Sequence, residues 1–138
     1  MRQFAKDLQL VTKGENTLLD LTDPVNEVVR ESEVRTGQCL VFCTGSTGAL
    51  TAIEYEPGLL RDFPRALERL VPKAQDYAHN HGGDDNGHSH VRASLLKPDL
   101  VVPVRDGRLD LGTWQQVALV ELDTRPRERR VAVRVWGE

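Results

Sequence analysis

The sequence predicts an α+β fold, mostly antiparallel β-sheet or sandwich, with two main helices and a short third helix. Alternating or apolar stretches typical of strands recur between turn residues, and one turn is the strong hairpin pair Asp106-Gly107. Two other segments carry apolar residues at helical spacing. Helices and strands do not alternate regularly, which disfavours a doubly wound parallel sheet.

The first part of the chain predicts two strands and a helix. Phe4–Leu10 and Thr17–Leu21 have the composition of strands and are separated by a polar turn. We expect Thr22 or Asp23 to cap the following helix and Gly37 to end it. One face of that helix carries four residues at helical spacing, namely Val25, Val28, Val29 and Ser32.

The next part predicts a buried strand at Cys39–Phe42 and an extended segment at Ala49–Tyr55. Pro57-Gly58 is expected to turn the chain before a second amphipathic helix. That helix is marked by Leu59, Phe63, Leu67 and Leu70. Pro64 is expected to lie in its first turn or to kink it.

The C-terminal part predicts a short helix at Val91–Leu96, which the Lys97-Pro98 step should end. Val101–Arg105 and Arg108–Leu111 form the hairpin. Thr113–Leu122 is expected to be a long central strand. The alternating residues Val131, Val133 and Val135 form the last strand.

Length and composition predict a single domain over residues 1–138. The net charge of −3 favours neither nucleic-acid nor membrane binding. The basic cluster Arg125, Arg127, Arg129 and Arg130 is interpreted as a solvated hairpin tip rather than a phosphate patch. Cys39 and Cys43 lie in one strand, about 13 Å apart, so both thiols are expected to be reduced, as in the cytoplasm.

All four histidines lie in the segment Tyr77–His90, which is rich in glycine and acids and is predicted to be a functional loop. His79 and His81 form one i, i+2 pair, and His88 and His90 form another. In extended backbone each pair projects to one side and can converge on one ion.

Three interpretations of this segment stay open. It is a metal site with His79, His88 and His90 as ligands for a divalent metal such as Zn²⁺ or Mg²⁺, with Asp85 as a fourth ligand or a partner of a histidine. Alternatively, His79, His90 and Asp85 perform metal-free acid–base or anion chemistry. In the third, the histidines only cap helices or hydrogen-bond locally.

Other residues are candidates for binding a small, possibly phosphorylated substrate. The segment Thr44-Gly45-Ser46-Thr47-Gly48 is either an anion cradle formed by amides and hydroxyls, with Ser46 and Thr47 contributing, or a bulge within a strand. Thr113, Trp114 and Gln115 form either a wall for a flat ring or, for the Trp, plain core. Arg92 is either an anion contact or a surface charge.

Four long motifs resemble the YjbQ-like family, also labelled secondary thiamine-phosphate synthases. They are FCTGSTGALTAIEYEPGLLRD, DDNGHSHVRASLL, VPVRDGRLDLGTWQQ and ELDTRPRERRVAVRVWGE. The resemblance implies a small α+β fold, a homotrimer, and a polar pocket that holds a metal or an anion. The activity it implies is the coupling of hydroxymethylpyrimidine diphosphate to thiazole phosphate.

The resemblance carries over to eight positions, namely Tyr77, His79, Asp85, His90, Gly112, Thr113, Trp114 and Gln115. The chain departs from the family at Gly45-Ser46-Thr47, where a histidine is common in place of Gly45. His81 and His88 are additional, and by hypothesis either of them takes over as a ligand. The alternatives to the synthase are a metal-dependent hydrolase and a non-catalytic metabolite- or metal-binding protein.

Overall fold

Two antiparallel sheets pack face to face in this protein, whose residues 1–138 are all described by a computed structural model. The α+β expectation is confirmed. The elements in chain order are β1 (Arg2–Val11), β2 (Thr17–Asp20), α1 (Thr22–Ser32), β3 (Thr36–Thr44), β4 (Gly48–Ile53), α2 (Pro57–Leu70), a 3-10 helix (Ala78–Gly82), α3 (Gly87–Leu96), β5 (Asp99–Arg105), β6 (Arg108–Leu109), β7 (Gln116–Glu121) and β8 (Glu128–Gly137).

The larger sheet has five strands in the order β1-β8-β3-β5-β6, and the smaller has three in the order β2-β7-β4. The last strand, β8, lies inside the larger sheet and pairs with both β1 and β3, so that Val133 lies between Lys6 and Val41. The predicted long strand before it is central in the smaller sheet, where β7 pairs with β2 and β4.

The main core lies between the two sheets, where alternate residues of each strand point inward. Cys39, Val41 and Cys43 of β3 all point into it. Both cysteines are free thiols, as expected. A smaller apolar cluster lies on the other face of the three-stranded sheet, where Leu67 of α2 and Ala93 of α3 pack.

The boundaries predicted for α1 are wrong at both ends. Thr22 and Asp23 lie inside the helix, and the Asp20 carboxylate accepts from the Thr22 amide at 3.0 Å. The helix ends at Ser32, and the next residue, Glu33, caps it in a left-handed conformation with φ of 59°. Gly37 lies within β3 instead, and a Cβ there would overlap the Trp136 carbonyl oxygen. Gly37 therefore permits a close strand contact and is not a helix terminator.

The turn predicted at Pro57-Gly58 is the first turn of α2. Glu56 caps this helix, because its carboxylate accepts from the Gly58 amide at 2.7 Å and the Leu59 amide at 2.9 Å. Pro57 fits the first helical position, where no amide partner is lost. Pro64 lies inside the helix rather than in its first turn.

The segment Tyr77–His90 is not a loop. It contains a 3-10 helix and the first turn of α3, which begins at Gly87 rather than near Val91. The Gly87 amide donates to Asn80 Oδ1 at 2.9 Å, and a Cβ on Gly87 would stand 2.6 Å from the Tyr77 Cβ. Tyr77 and Asn80 therefore fix where the helix begins, which periodicity does not reveal.

The hairpin at Asp106-Gly107 is confirmed, with φ of 53° and 77° at the two turn residues. The strand expected at Thr113–Leu122 is shorter, because β7 begins only at Gln116. Trp114 is 70% exposed, so it is not a core residue. No helix of the structure combines the length and the apolar content needed to cross a bilayer.

Candidate functional site

His79 and His90 come together at one end of the sandwich. His79 projects from the 3-10 helix and His90 from α3, and their rings meet edge to face with centroids 4.5 Å apart. His79 Nε2 donates to Asn86 Oδ1 at 3.1 Å and lies 3.4 Å from Asp84 Oδ2. No hydrogen bond within the chain involves the His90 ring. Its nitrogens are therefore free to contact a ligand.

Asn86 connects this pair to a buried carboxylate. Its amide nitrogen donates to Asp123 Oδ1 at 3.2 Å, and Asp123 is 1% exposed. Asp123 Oδ2 also accepts from Thr47 Oγ1 at 2.9 Å and from Arg127 Nε at 2.8 Å. The position of the histidine pair is thus tied to the protein interior.

The hydrogen bonds also decide the charge of Asp123. Burial raises the pKa of this carboxyl, but hydrogen bonds from Arg127, the Thr124 amide, Thr47 and Asn86 outweigh burial and hold the pKa well below its usual range. Asp123 therefore stays ionised and provides a fixed acceptor beneath Asn86.

A buried ion pair continues the network across the two sheets. Glu121 ends β7 of the smaller sheet, and Arg129 lies in β8 of the larger one. Arg129 Nε donates to Glu121 Oε2 at 2.8 Å and Nη2 donates to Oε1 at 2.5 Å, a bidentate arrangement. Glu121 is fully buried and Arg129 is 5% exposed. The two sheets are therefore joined by a charge pair at this end.

Two hydroxyls complete this network. Thr12 donates to Glu121 Oε2 at 2.7 Å, and Thr47 Oγ1 accepts from Arg129 Nη2 at 2.7 Å. Because the Thr47 hydroxyl also donates to Asp123, it is fully used inside the protein. The expectation that Arg129 lies at a solvated tip is wrong, since its guanidinium is held between the sheets.

His88 and Arg92 point away from the histidine pair. His88 is fully buried and its Nε2 donates to Glu15 Oε1 at 2.5 Å. Arg92 is also fully buried, donating to the Val71 carbonyl at 2.8 Å and to Glu68 at 2.6 Å. Arg92 is therefore neither a surface charge nor an open anion contact. Both side chains instead hold α3 against the rest of the chain.

The metal set predicted from His79, His88 and His90 does not form within the chain. Residues two apart on a helix point to nearly opposite sides, and His88 and His90 are helical rather than extended. No group of three or more His, Cys, Asp or Glu side chains is placed to hold a metal ion. The donor set therefore does not fit the three-imidazole site.

The remaining candidates are spread over the molecule. Asp85 is exposed and accepts from Thr124 Oγ1 at 3.1 Å, close to Asp123. His81 is exposed and donates to Asp76 at 2.6 Å. Ser46 is exposed on the loop between β3 and β4. That loop is a crossing between sheets, because Thr44 pairs in one and Gly48 in the other, so the bulge interpretation is wrong.

Thr113, Trp114 and Gln115 are exposed at the opposite end of the sandwich. They precede β7, whereas Asp123 follows it, and six strand residues span about 17–20 Å. Within one chain they do not line the histidine site.

Sequence reasoning missed Glu121, Asp123 and Arg129. One pattern was present, because Glu121 and Asp123 interrupt the apolar run VALVELD, and a charge in a buried strand needs a partner. The partner itself depends on how the two sheets pack.

Fold and site together define a small α+β sandwich protein with a histidine–amide cluster at one end. The family model described as "UPF0047 protein YjbQ-like" matches residues 6–138. The chain belongs to this family.

Relatives match along nearly the whole chain. A UPF0047 protein of Methanothermobacter thermautotrophicus is 41% identical and is aligned over 100% of this chain and 95% of its own length. The UPF0047 protein YjbQ of Escherichia coli O157:H7 is 30% identical and is aligned over 98% of this chain and 99% of its own length.

Solved structures share the fold. A YbjQ-like protein of unknown function from Sulfolobus solfataricus P2 is 34% identical with a TM-score of 0.88, covering 99% of both chains. An uncharacterized conserved protein of the yjbq/upf0047 family from Clostridium acetobutylicum is 33% identical with a TM-score of 0.85, covering 95% of this chain and 99% of that one.

Proposed function

We propose that the histidine end of the sandwich binds a small phosphorylated metabolite and that His90 transfers a proton to or from it. The observation that carries this proposal is the edge-to-face pair at 4.5 Å, in which His79 is held by Asn86 and the His90 ring has no partner in the chain. A half-buried imidazole with free nitrogens, next to a second imidazole that is held by a hydrogen bond, suits acid–base chemistry.

The first reaction to test is the one implied by the family resemblance, coupling of hydroxymethylpyrimidine diphosphate to thiazole phosphate. In that reaction the thiazole nitrogen attacks the methylene carbon and the bond from that carbon to oxygen breaks. Pyrophosphate leaves with the electron pair and takes up the proton that His90 donates. Negative charge builds on the leaving oxygen, so donors must face it. Ser46 is exposed and suits this role, whereas Thr47 and Arg92 are engaged inside the protein.

A homotrimer is part of the same proposal. Trp114 and its neighbours lie too far from His90 to hold a pyrimidine in the same chain, so they would serve the site of an adjacent subunit. The outer face of the five-stranded sheet also lacks a covering helix. It exposes Phe42 at 38% and Val101 at 54% on neighbouring strands, around the half-buried Leu40. We propose that a second copy of the chain covers this face.

The reaction is tested with purified protein and the two substrates. We expect thiamine phosphate from the wild type and a rate lower by about 10²–10⁴-fold from His90→Gln, the usual contribution of a positioned acid or base. His81→Gln is the matched control, because His81 lies in the same segment but is exposed and bonded to Asp76. No product above the blank from the wild type would reject this reaction.

A second candidate is a non-catalytic metabolite-binding protein. It is favoured by the absence of any acceptor that orients the His90 ring, since an orienting partner is usual for a catalytic histidine. Ligand-induced thermal stabilisation without turnover, lost in His90→Gln, would support it over the enzyme.

A further inference from the structure

The loop between β3 and β4 passes directly over the guanidinium of the buried Arg129. Gly45 begins this loop with φ of +123°, and a Cβ there would stand 2.6 Å from Arg129 Nη1. Gly48 flanks the same guanidinium, since its Cβ would lie 3.3 Å from Arg129 Cζ. The glycines therefore make room for the cation on both sides of the loop.

Arg129 Nη1 is available to a ligand. The Arg129 hydrogen bonds use Nε and Nη2, and Nη1 donates to no group in the chain. Only His88 Nδ1 and Ser89 Oγ are fully buried without a partner, so Nη1 reaches solvent although Arg129 is 5% exposed. A fixed cationic donor thus lies next to Gly45.

The loop adds further donors at the same place. The amides of Gly45, Ser46 and Thr47 donate to no backbone or side-chain acceptor in the chain. Ser46 is exposed, and its hydroxyl makes no hydrogen bond. Consecutive free amides in a turn form an anion-binding concavity, and a guanidinium strengthens it.

We propose that Gly45, Ser46, Thr47 and Arg129 form a binding subsite for a phosphoryl group. Several donors on one loop suit the three terminal oxygens of a phosphoryl group better than the two oxygens of a carboxylate. Both acidic side chains beside Arg129 are already paired, Glu121 with Arg129 Nε and Nη2, and Asp123 with Arg127.

The subsite is connected to the histidine pair through hydrogen bonds. Arg129 Nη2 donates to Thr47, Thr47 donates to Asp123, and Asn86 bridges Asp123 to His79. The identification of the bound group as the phosphoryl of the substrate rests on the proposed function. The binding of a phosphoryl group at this loop does not.

The test is a titration of the full chain with inorganic phosphate, in which the amide resonances are monitored by NMR. We expect the amide resonances of Gly45, Ser46 and Thr47 to shift as phosphate is added and to reach a plateau when the site is saturated. Gly45→Ala, which places a methyl group against Nη1, should weaken phosphate binding at this loop at least tenfold. Loop amides that do not shift, or a Gly45→Ala protein that binds phosphate as well as the wild type, would overturn the proposal.

Gly107→Ala is the matched control. Gly107 also has positive φ, at +77°, but a Cβ there would meet nothing closer than 3.8 Å, so alanine changes the backbone preference without blocking Arg129 Nη1. Gly107 lines a separate arginine cavity, so this control is read at the loop amides alone. Gly107→Ala should leave loop binding unchanged. Phosphate-induced resonance shifts at Arg108 would indicate binding at a separate arginine cluster. That cluster lines the 740 Å³ cavity at the opposite end of the sandwich. Shifts confined to that cavity would also overturn the proposal.

Two further arms define the ligand and the cation. Pyrophosphate should shift the loop amides at a lower concentration than acetate, and equal binding of acetate would reject a phosphoryl subsite. Arg129→Lys keeps the positive charge but removes the planar guanidinium and its several N–H donors. A folded Arg129→Lys protein should therefore bind phosphate several-fold more weakly. Phosphate binding that survives while His90→Gln lacks activity separates this subsite from the proposed function.

Discussion

His88 and His90 are two positions apart in the chain and have different environments. His88 is fully buried against Glu15, whereas His90 is half-buried and pairs with His79. The hydrogen bond to His88 also affects its partner Glu15. Partial burial raises the pKa of Glu15, but hydrogen bonds from Lys73 and His88 outweigh burial, so this pKa lies below its ordinary value. The contrast between the two histidines follows from helical geometry, in which alternate residues diverge. His88 is therefore interpreted as a structural residue.

Asp123 is the residue at which stability and site geometry are most closely linked. Its folded-state pKa is depressed, so its contribution to stability is present above its ordinary pKa of about 4 and is lost as the pH falls toward the folded value. We predict that Asp123→Asn lowers the free energy of unfolding at pH 7, and that the difference from wild type shrinks as the pH falls below about 4. Urea unfolding at a series of pH values measures this.

Asp62→Asn is the control for that experiment, because it makes the same change of charge at an exposed position on α2. It should change the free energy of unfolding by less than about 0.5 kcal/mol at pH 7. A constant difference between Asp123→Asn and wild type down to pH 2 would contradict the assignment of the lowered pKa to Asp123.

At the scale of elements, the start of α3 is decided by contacts outside the helix. Gly87 is buried beneath Tyr77, and its amide is bound by Asn80 of the 3-10 helix. Local propensity points the other way, since glycine in a helix costs about 1 kcal/mol relative to alanine. The contact at Gly87 therefore overrides the preference of the chain.

We predict that Gly87→Ala destabilises the protein by about 1–3 kcal/mol, the usual cost of overpacking, despite the better helix propensity of alanine. The added Cβ would stand 2.6 Å from the Tyr77 Cβ and 2.9 Å from Asn80 Oδ1. Thermal or urea unfolding measures the change. In contrast, Gly82→Ala meets nothing within 4 Å and should be neutral or slightly stabilising. A stabilising Gly87→Ala would show that the start of α3 is set locally.

At the scale of the whole molecule, the two sheets have unequal cover. The helices α2 and α3 pack on the smaller sheet, whereas the outer face of the larger sheet exposes Phe42 and Val101. Apolar groups on neighbouring strands of an open face are typical of an interface. The homotrimer proposed above gives this face a partner.

We predict that the protein runs in light scattering at three times its chain mass of 15.5 kDa. Val101→Asp should shift the population to a smaller species, because a carboxylate would be buried without a partner in the interface. Leu95→Asp is the control, since Leu95 is 67% exposed on α3, away from that face. A monomeric wild type, or a Val101→Asp protein that stays trimeric, would contradict the assignment of the interface.

The fold class, most of the strands, the hairpin and the family could be predicted from the order of the amino acids alone. These depend on periodicity, turn chemistry and motif order, which are local properties. The position of His79 and His90 in one segment was also visible, as was the unusual loop at Gly45.

Which histidines meet and which charges are buried depends on tertiary packing. The helical geometry of α3 points His88 and Arg92 away from the site. The packing of the two sheets brings together Glu121, Asp123 and Arg129. The physical reason is that a buried charge depends on its partner, and the partner of Glu121 comes from a strand of the other sheet. The geometry of that end of the sandwich is therefore a property of packing rather than of any one segment.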